Sequence, residues 1–247
     1  MKVSIITVTY NSSKTVEQTI RSVLDQTYTN IEYIIVDGVS TDNTLSVLNS
    51  YKDRITKLVS EKDNGIYDAL NKGISMATGE IVGILHSDDF FIDATVIEKV
   101  VNTFEKSKCD AVYADLYYVA QDNTNKIIRK WHSGNYSTSS FVNGWMPPHP
   151  TFFVKRECYN KFGKFNLDFK TSADYELMLR FIEKNKIKLG YLDQYIIKMR
   201  QGGQSNVTTK NRIIANIEDR KAWEINGLMP RFYTLYLKPL RKILQFF

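Results

Sequence analysis

An α/β fold with a mostly parallel central sheet is predicted by two patterns in the first half of the chain. Short runs of β-branched and apolar residues alternate with stretches whose apolar positions recur at helical spacing. Polar or acidic residues then stand at the carboxyl end of one run after another. The first run, Val3 to Thr9, is a strand, and Ser12 and Ser13 are placed to cap a helix that buries Val16, Ile20, Val23 and Leu24. Ile31 to Val36 is the second strand, and Ser40, Thr41 and Asp42 open the second helix. Ile55 to Ser60 reads as strand, Ile66 to Ala77 as helix and Ile81 to Leu85 as strand. A further helix carries Ile97, Val100, Val101 and Phe104, and Ala111 to Tyr113 is strand again.

After residue 115 the alternation changes. Leu116 to Ala120 and Ile127 to Trp131 read as a hairpin around QDNTN, and GWMPPHP is a turn-rich loop. Asp174 opens a helix with Leu177, Met178, Phe181 and Ile182 on one face, and QGGQSN is a flexible loop suited to closing over a ligand. The expected organisation is one domain over 1–205, with a regular first half (1–115) and a more irregular second half (116–205), followed by a helical extension over 206–247.

With 247 residues, 43% hydrophobic and 24% charged, the composition is that of a folded globular chain. Cys109 and Cys158 stand far apart without a partner at metal-ligand spacing, which argues against a disulfide framework or a zinc site and for a reducing cytoplasm. No apolar window is long enough for a membrane span. A net charge of +6 implies an anionic partner. The basic residues are scattered except at the C-terminus and form no stripe with aromatics, so nucleic acid is not the expected partner.

Open parallel sheets bind ligands outside the carboxyl ends of their strands. Thr9, Tyr10 and Asn11, then Asp37, then Glu61 and Asp63, then His86, Ser87, Asp88 and Asp89 all fall there. Adjacent carboxylates at 88 and 89 repel each other unless compensated, and hard oxygen ligands suit Mg²⁺ or Mn²⁺. The competing reading makes Asp89 a helix cap, a task Asp93 could equally perform. Neither a P-loop nor GxGxxG occurs, so diphosphate charge is expected to be met by a cation rather than by a glycine loop.

The segments VSIITVTYN, SVLDQTY, YIIVDGVSTDNT, DNGIYDALNKGISMATGEIVGILHSDDFF, PHPTFF and ADYELMLR together resemble a family 2 glycosyltransferase of the GT-A fold over roughly residues 1 to 205. The resemblance implies a Rossmann-like sheet and inverting transfer of a sugar from a nucleotide diphosphate donor, a UDP-sugar above all. It implies that Thr7, Thr9 and Asn11 line the nucleotide pocket and that Asp37 and Asp63 approach the base. Ser87-Asp88-Asp89 falls at the family's DXD motif, with Asp89 as metal ligand for Mn²⁺ or Mg²⁺ and Asp88 nearer the ribose or sugar. Asp174 falls at the catalytic-base position; its alternative is an N-cap. His149 is either an acceptor-site residue or a loop anchor, and Gln204 and Ser205 are expected to close over the diphosphate. Many relatives read DDGST where this chain has Asp37-Gly38-Val39-Ser40-Thr41, so a second carboxylate is missing here.

The basic tail PRFYTLYLKPLRKILQFF, residues 230–247, sets Arg231, Lys238, Arg241 and Lys242 against Tyr233, Tyr236, Leu237, Leu240, Ile243, Leu244 and Phe247 on a helical wheel. Such a segment either lies on an anionic membrane surface or packs on the core. Members that this chain resembles act on lipid-linked acceptors, such as undecaprenyl-diphosphate saccharides, in bacterial surface polysaccharide assembly. A cytoplasmic enzyme peripheral to the inner membrane face is therefore expected. A binding module without turnover and a nucleotidyltransferase are the competing classes, the latter disfavoured because TYNSSK replaces a glycine-rich basic loop.

Overall fold

A computed structural model describes residues 1–202, 209–241 and 245. The chain runs β1 (Val3–Thr9), α1 (Val16–Leu24), β2 (Ile31–Asp37), α2 (Thr44–Ser50), β3 (Lys57–Ser60), α3 (Ile66–Met76), β4 (Ile81–Ile84) and β5 (Phe90–Phe91). It continues α4 (Val96–Ser107), β6 (Ala111–Val119), β7 (Ile127–Trp131), β8 (Phe153–Lys155), α5 (Arg156–Phe162), α6 (Ala173–Leu179), β9 (Leu189–Arg200), α7 (Thr209–Ile225) and α8 (Thr234–Arg241). The strands form one sheet in the order β3-β2-β1-β4-β8-β6-β9-β5, with β7 paired to β6.

Strands β1 to β4 are mutually parallel. Short β8 is antiparallel to both β4 and β6, which leaves β6 and its parallel neighbour β9 running with β1. Only β5, β7 and β8 run the other way, so the mostly parallel sheet expected from the sequence is present. All seven residues of β1 are buried, as helices on both faces require. Helix α4 buries Val96, Ile97, Val100, Val101 and Phe104, apolar surface worth up to about 10 kcal/mol against an extended chain.

Three sequence expectations change. The helix α1 has no side-chain cap: the Ser12 carbonyl accepts the Thr15 and Val16 N–H groups at 3.0 Å each, and the Ser12 hydroxyl turns instead to Ser87. The expected hairpin is present, β6 pairing antiparallel with β7 from Leu116–Trp131 to Val119–Ile127, but its first strand is continuous with the one expected at 111–113. The second half is also more regular than its sequence suggests, since twelve-residue β9 pairs along β6 and carries β5 on its other side.

At the end of the sheet where β1 and β2 begin, buried Glu32 ties the layers together. It accepts from Ser4 Oγ at 2.6 Å and from Thr78 N and Oγ1 at 2.7 and 2.8 Å, with Lys2 and Lys57 each 3.4 Å away. Burial works against its charge, but these donors outweigh it and hold the carboxyl down at about 2.

Candidate active site

The opposite ends of β1, β2 and β4 carry several of the predicted residues, and hydrogen bonds join the loops that follow them: Asn11 N donates to Ser40 Oγ at 2.9 Å, and the Ser12 and Ser87 hydroxyls stand 2.9 Å apart. The peptide leaves β1 through exposed Tyr10 and through Asn11, which adopts φ 50° and whose side-chain oxygen accepts the Thr41 and Asp42 N–H groups at 2.8 and 3.3 Å. Asp37, fully buried, accepts from Ser40 N at 3.0 Å, Ser40 Oγ at 2.5 Å and Ser60 Oγ at 2.7 Å. Its oxygens are therefore committed to shaping the loop after β2. Asp63 lies against Gly38, where an added Cβ would stand 2.5 Å from its Oδ2 and 3.5 Å from the Tyr10 ring. Only a glycine at 38 leaves that space to the Asp63 carboxylate.

Thr9 Oγ1 is buried at the end of β1 without a hydrogen-bond partner. Thr7 is a correction: it is fully buried and bonded to Tyr33 Oη at 3.1 Å, which makes it a core residue rather than part of the pocket wall. Gln204 and Ser205 lie outside the described residues.

The 86–89 turn is clamped from several directions. Asp89 N donates to the His86 carbonyl at 3.0 Å, Thr19 Oγ1 to the Asp89 carbonyl at 2.7 Å, and Ser12 and Ser87 hydroxyls meet at 2.9 Å. Arg200, at the end of β9, donates to the Asp88 carbonyl and to Gln18. The Asp89 side chain is 1% exposed, and both its carboxylate oxygens are buried without a hydrogen-bond partner. Burial, then the neighbouring Asp88 charge, pushes its pKa well up, while Arg200 offsets only part of this. Asp93 does the local turn work instead, accepting from Thr95 N and Oγ1 at 2.8 and 2.7 Å, so Asp89 is not a helix cap. A buried carboxylate with both oxygens unmatched is the donor set a hard divalent cation needs, and Asp89 fits Mn²⁺ or Mg²⁺.

Asp174 is the second residue of α6, behind Ser172. It is not the N-cap. Its Oδ2 lies 3.3 Å from His149 Nδ1 and its Oδ1 3.5 Å from Tyr67 Oη. His149 packs edge-on against His86, ring centroids 5.6 Å apart, which links the base position to the 86–89 turn. Burial, then His149, lowers the His86 pKa to about 4, so this ring is neutral near pH 7.

Behind α6, Glu218 of α7 accepts from the backbone N–H of Lys170, Thr171 and Ser172 at 2.8 to 2.9 Å, fixing the approach to Asp174. Sequence reasoning assigned no role to Arg200, Tyr67 or Glu218. The one signal for Arg200 was its place at the end of the run YIIKMR, just before QGGQSN.

Among the described residues, Asp115, His132 and Asp193 also bring ligand atoms within 4.8 Å of one another, a group that contains neither Asp88 nor Asp89. These atoms already bond each other and Tyr191: His132 Nδ1 to Asp115 Oδ2 at 2.7 Å, and Tyr191 Oη to Asp115 and Asp193 at 2.9 and 3.1 Å.

The sheet, with helices on it and acids at its strand ends, has the architecture of the GT-A fold. Solved structures share it: TarS of S. aureus in complex with UDP-GlcNAc aligns with TM-score 0.69 and 17% identity over 92% of this chain and 66% of that one. The mannosyltransferase PcManGT of Pyrobaculum calidifontis, in complex with GDP-Man and Mn²⁺, aligns with TM-score 0.68 and 19% identity over 96% of this chain and 68% of that one. The profile of Glycosyl transferase family 2 matches residues 4–175, and the chain belongs to that family. An uncharacterized glycosyltransferase of Mycobacterium tuberculosis is 31% identical over 180 residues, 72% of this chain and 68% of its own length. The Escherichia coli UDP-Glc:alpha-D-GlcNAc-diphosphoundecaprenol beta-1,3-glucosyltransferase WfaP is 31% identical over 188 residues, 74% of this chain and 70% of its own.

Proposed function

We propose that this protein transfers a sugar, with inversion, from a UDP-sugar to a hydroxyl of a saccharide carried on a lipid diphosphate, in bacterial surface polysaccharide biosynthesis. The carrying observation is the Asp89 carboxylate, buried and unmatched, in the 86–89 turn whose His86 packs on His149, the partner of Asp174. WfaP supports the acceptor class, since its name gives a diphosphoundecaprenol-linked acceptor. The UDP-GlcNAc complex of TarS supports the donor class. Tyr10 and Asp63, brought together over Gly38, offer a flat ring and a carboxylate acceptor to a nucleobase and ribose. Asp63 thereby takes the place of the carboxylate that is missing at position 38.

When bound by Asp89 with Asp88 beside it, a divalent cation supplies charge neutralisation for the leaving diphosphate. Asp174 takes the proton from the acceptor hydroxyl as that oxygen attacks the anomeric carbon, and a single displacement inverts the centre. His149 holds the Asp174 carboxylate toward the acceptor, while neutral His86 adds no positive charge beside it. The test is Asp174→Asn. Transfer to a saccharide acceptor is expected to fall about 10²- to 10⁴-fold with UDP affinity retained. Transfer by D174N at the unmutated rate would remove the base assignment, and donor binding without turnover in the unmutated chain would indicate a binding module.

A further inference from the structure

A second cavity, of about 300 Å³, opens between the end of β7, the 144–146 loop and α8. Lys130, Trp131, His132, Lys238, Arg241 and Gln245 line it, and no acidic residue does. Lys238 is already matched by Asp219, whose oxygens stand 2.7 and 2.8 Å from its Nζ, and His132 is matched by Asp115. Lys130 and Arg241 have no carboxylate partner among the described residues, and Gln245 adds a buried side-chain oxygen with no partner. Two unmatched cations facing a small hollow call for a compact anion carrying about two charges.

We propose that this pocket binds the diphosphate of the lipid-linked acceptor, an inference that rests on the acceptor class proposed above. Size is the first argument: the volume is at the low end for ligand pockets and suits a diphosphate headgroup, not an oligosaccharide. Position is the second. Lys238 Nζ stands 3.6 Å over the ring of Tyr175, the neighbour of Asp174, and the loop that brings Trp145 and Met146 to the pocket goes on to place His149 against Asp174. A sugar linked to a diphosphate held here extends toward the base. The donor's diphosphate is excluded by address, since none of Tyr10, Gly38, Asp63, Asp88 and Asp89 lines this pocket. The third argument is the exit: Tyr236 and Leu240 on α8 are exposed beside Arg241 and offer apolar surface to a prenyl chain leaving the pocket.

Isothermal titration calorimetry on the full chain, with EDTA present, tests the pocket against two probes, farnesyl diphosphate and inorganic pyrophosphate. The unmutated protein is expected to bind both, farnesyl diphosphate more tightly. K130A/R241A is expected to bind each at least tenfold more weakly, and the charge-retaining K130R/R241K to restore binding. Unchanged affinity in K130A/R241A, or no binding of either probe by the unmutated chain, overturns the proposal. Equal affinity for the two probes identifies a free-phosphate site and overturns the lipid carrier. The acceptor class is judged separately, by transfer from a UDP-sugar panel to a farnesyl-diphosphate-linked sugar. Transfer with the same acceptor KM in K130A/R241A sinks the pocket alone, whereas absence of transfer to any prenyl-diphosphate sugar sinks the underlying reading.

Discussion

Asp89, the metal ligand proposed above, is placed where it opposes stability. Its carboxylate is buried, has no hydrogen-bond partner and lies beside the like charge of Asp88, so the cation-free fold carries an uncompensated cost. Asp89→Asn removes that charge while keeping the shape. In EDTA the variant is expected to be more stable by about 1 kcal/mol, a rise in melting temperature of about 2 to 4 °C. Added Mn²⁺ should raise the melting temperature of the unmutated protein and leave D89N unmoved, while donor turnover in D89N falls by about 10² or more. A melting temperature lowered by D89N in EDTA would show instead that Asp89 is structurally required. Much of this site was legible in the sequence because acids and hydroxyls at successive strand ends share one address. Thr7 misled because alternation gives it the same side of β1 as Thr9, yet the partner it finds, Tyr33, lies in the core. Arg200, Tyr67 and Glu218 escaped because each acts from an element more than a hundred residues away in sequence or on the far side of α6.

At the scale of elements, the parallel half holds together through buried polar links as well as apolar contact. Glu32 bonds β1, β2 and the turn before β4, and its carboxyl is held at about 2. A carboxyl depressed in the folded state adds stability that is fully present above its unfolded value near 4.5 and disappears as pH falls toward 2. Glu32→Gln is expected to cost about 3 kcal/mol at pH 7, since it leaves buried donors mismatched. The gap between E32Q and the unmutated chain, read from urea midpoints, should shrink progressively below about pH 4.5. A gap that stays constant down to pH 3 would assign the cost to packing alone. Strands β1, β2 and β4 were readable because helices cover both faces and force continuous apolar runs. Strands β5 and β8 were not, being two and three residues long, and β9 mixes buried and exposed positions without alternation because bulges interrupt its pairing with β6.

For the whole molecule, the question is how a chain in which no described helix is long and apolar enough to cross a membrane would meet the lipid-linked acceptor proposed for it. Of the two sequence readings of the tail, packing on the core is observed for part of it. Leu235 and Thr234 are buried, Thr234 Oγ1 donates to the Val142 carbonyl at 2.7 Å, and Gly144, at φ 75°, accepts the close approach of the Lys238 backbone. Lys238 therefore points inward to Asp219, not to the polar outer face that a helical wheel assigns it. Residues 242–244 and 246–247, including Lys242, Ile243, Leu244 and Phe247, lie outside the described residues. What remains outward is apolar: Met229 is 90% exposed, Phe232 89%, Tyr236 67% and Leu240 54%, with Arg231 and Arg241 beside them. Four such side chains in water, flanked by cations, suit the interface of an anionic bilayer. Replacing Phe232, Tyr236 and Leu240 together by Ser forfeits about 1 kcal/mol each from partial burial in lipid, so affinity for anionic vesicles should fall on the order of a hundredfold. Turnover of a water-soluble acceptor is expected to persist, because these three side chains touch neither Asp89 nor Asp174. Sedimentation with vesicles of increasing anionic lipid content reads both terms, the apolar one from the triple variant and the electrostatic one from the salt dependence of the unmutated chain. Equal sedimentation of the two proteins would show that this face does not carry the attachment.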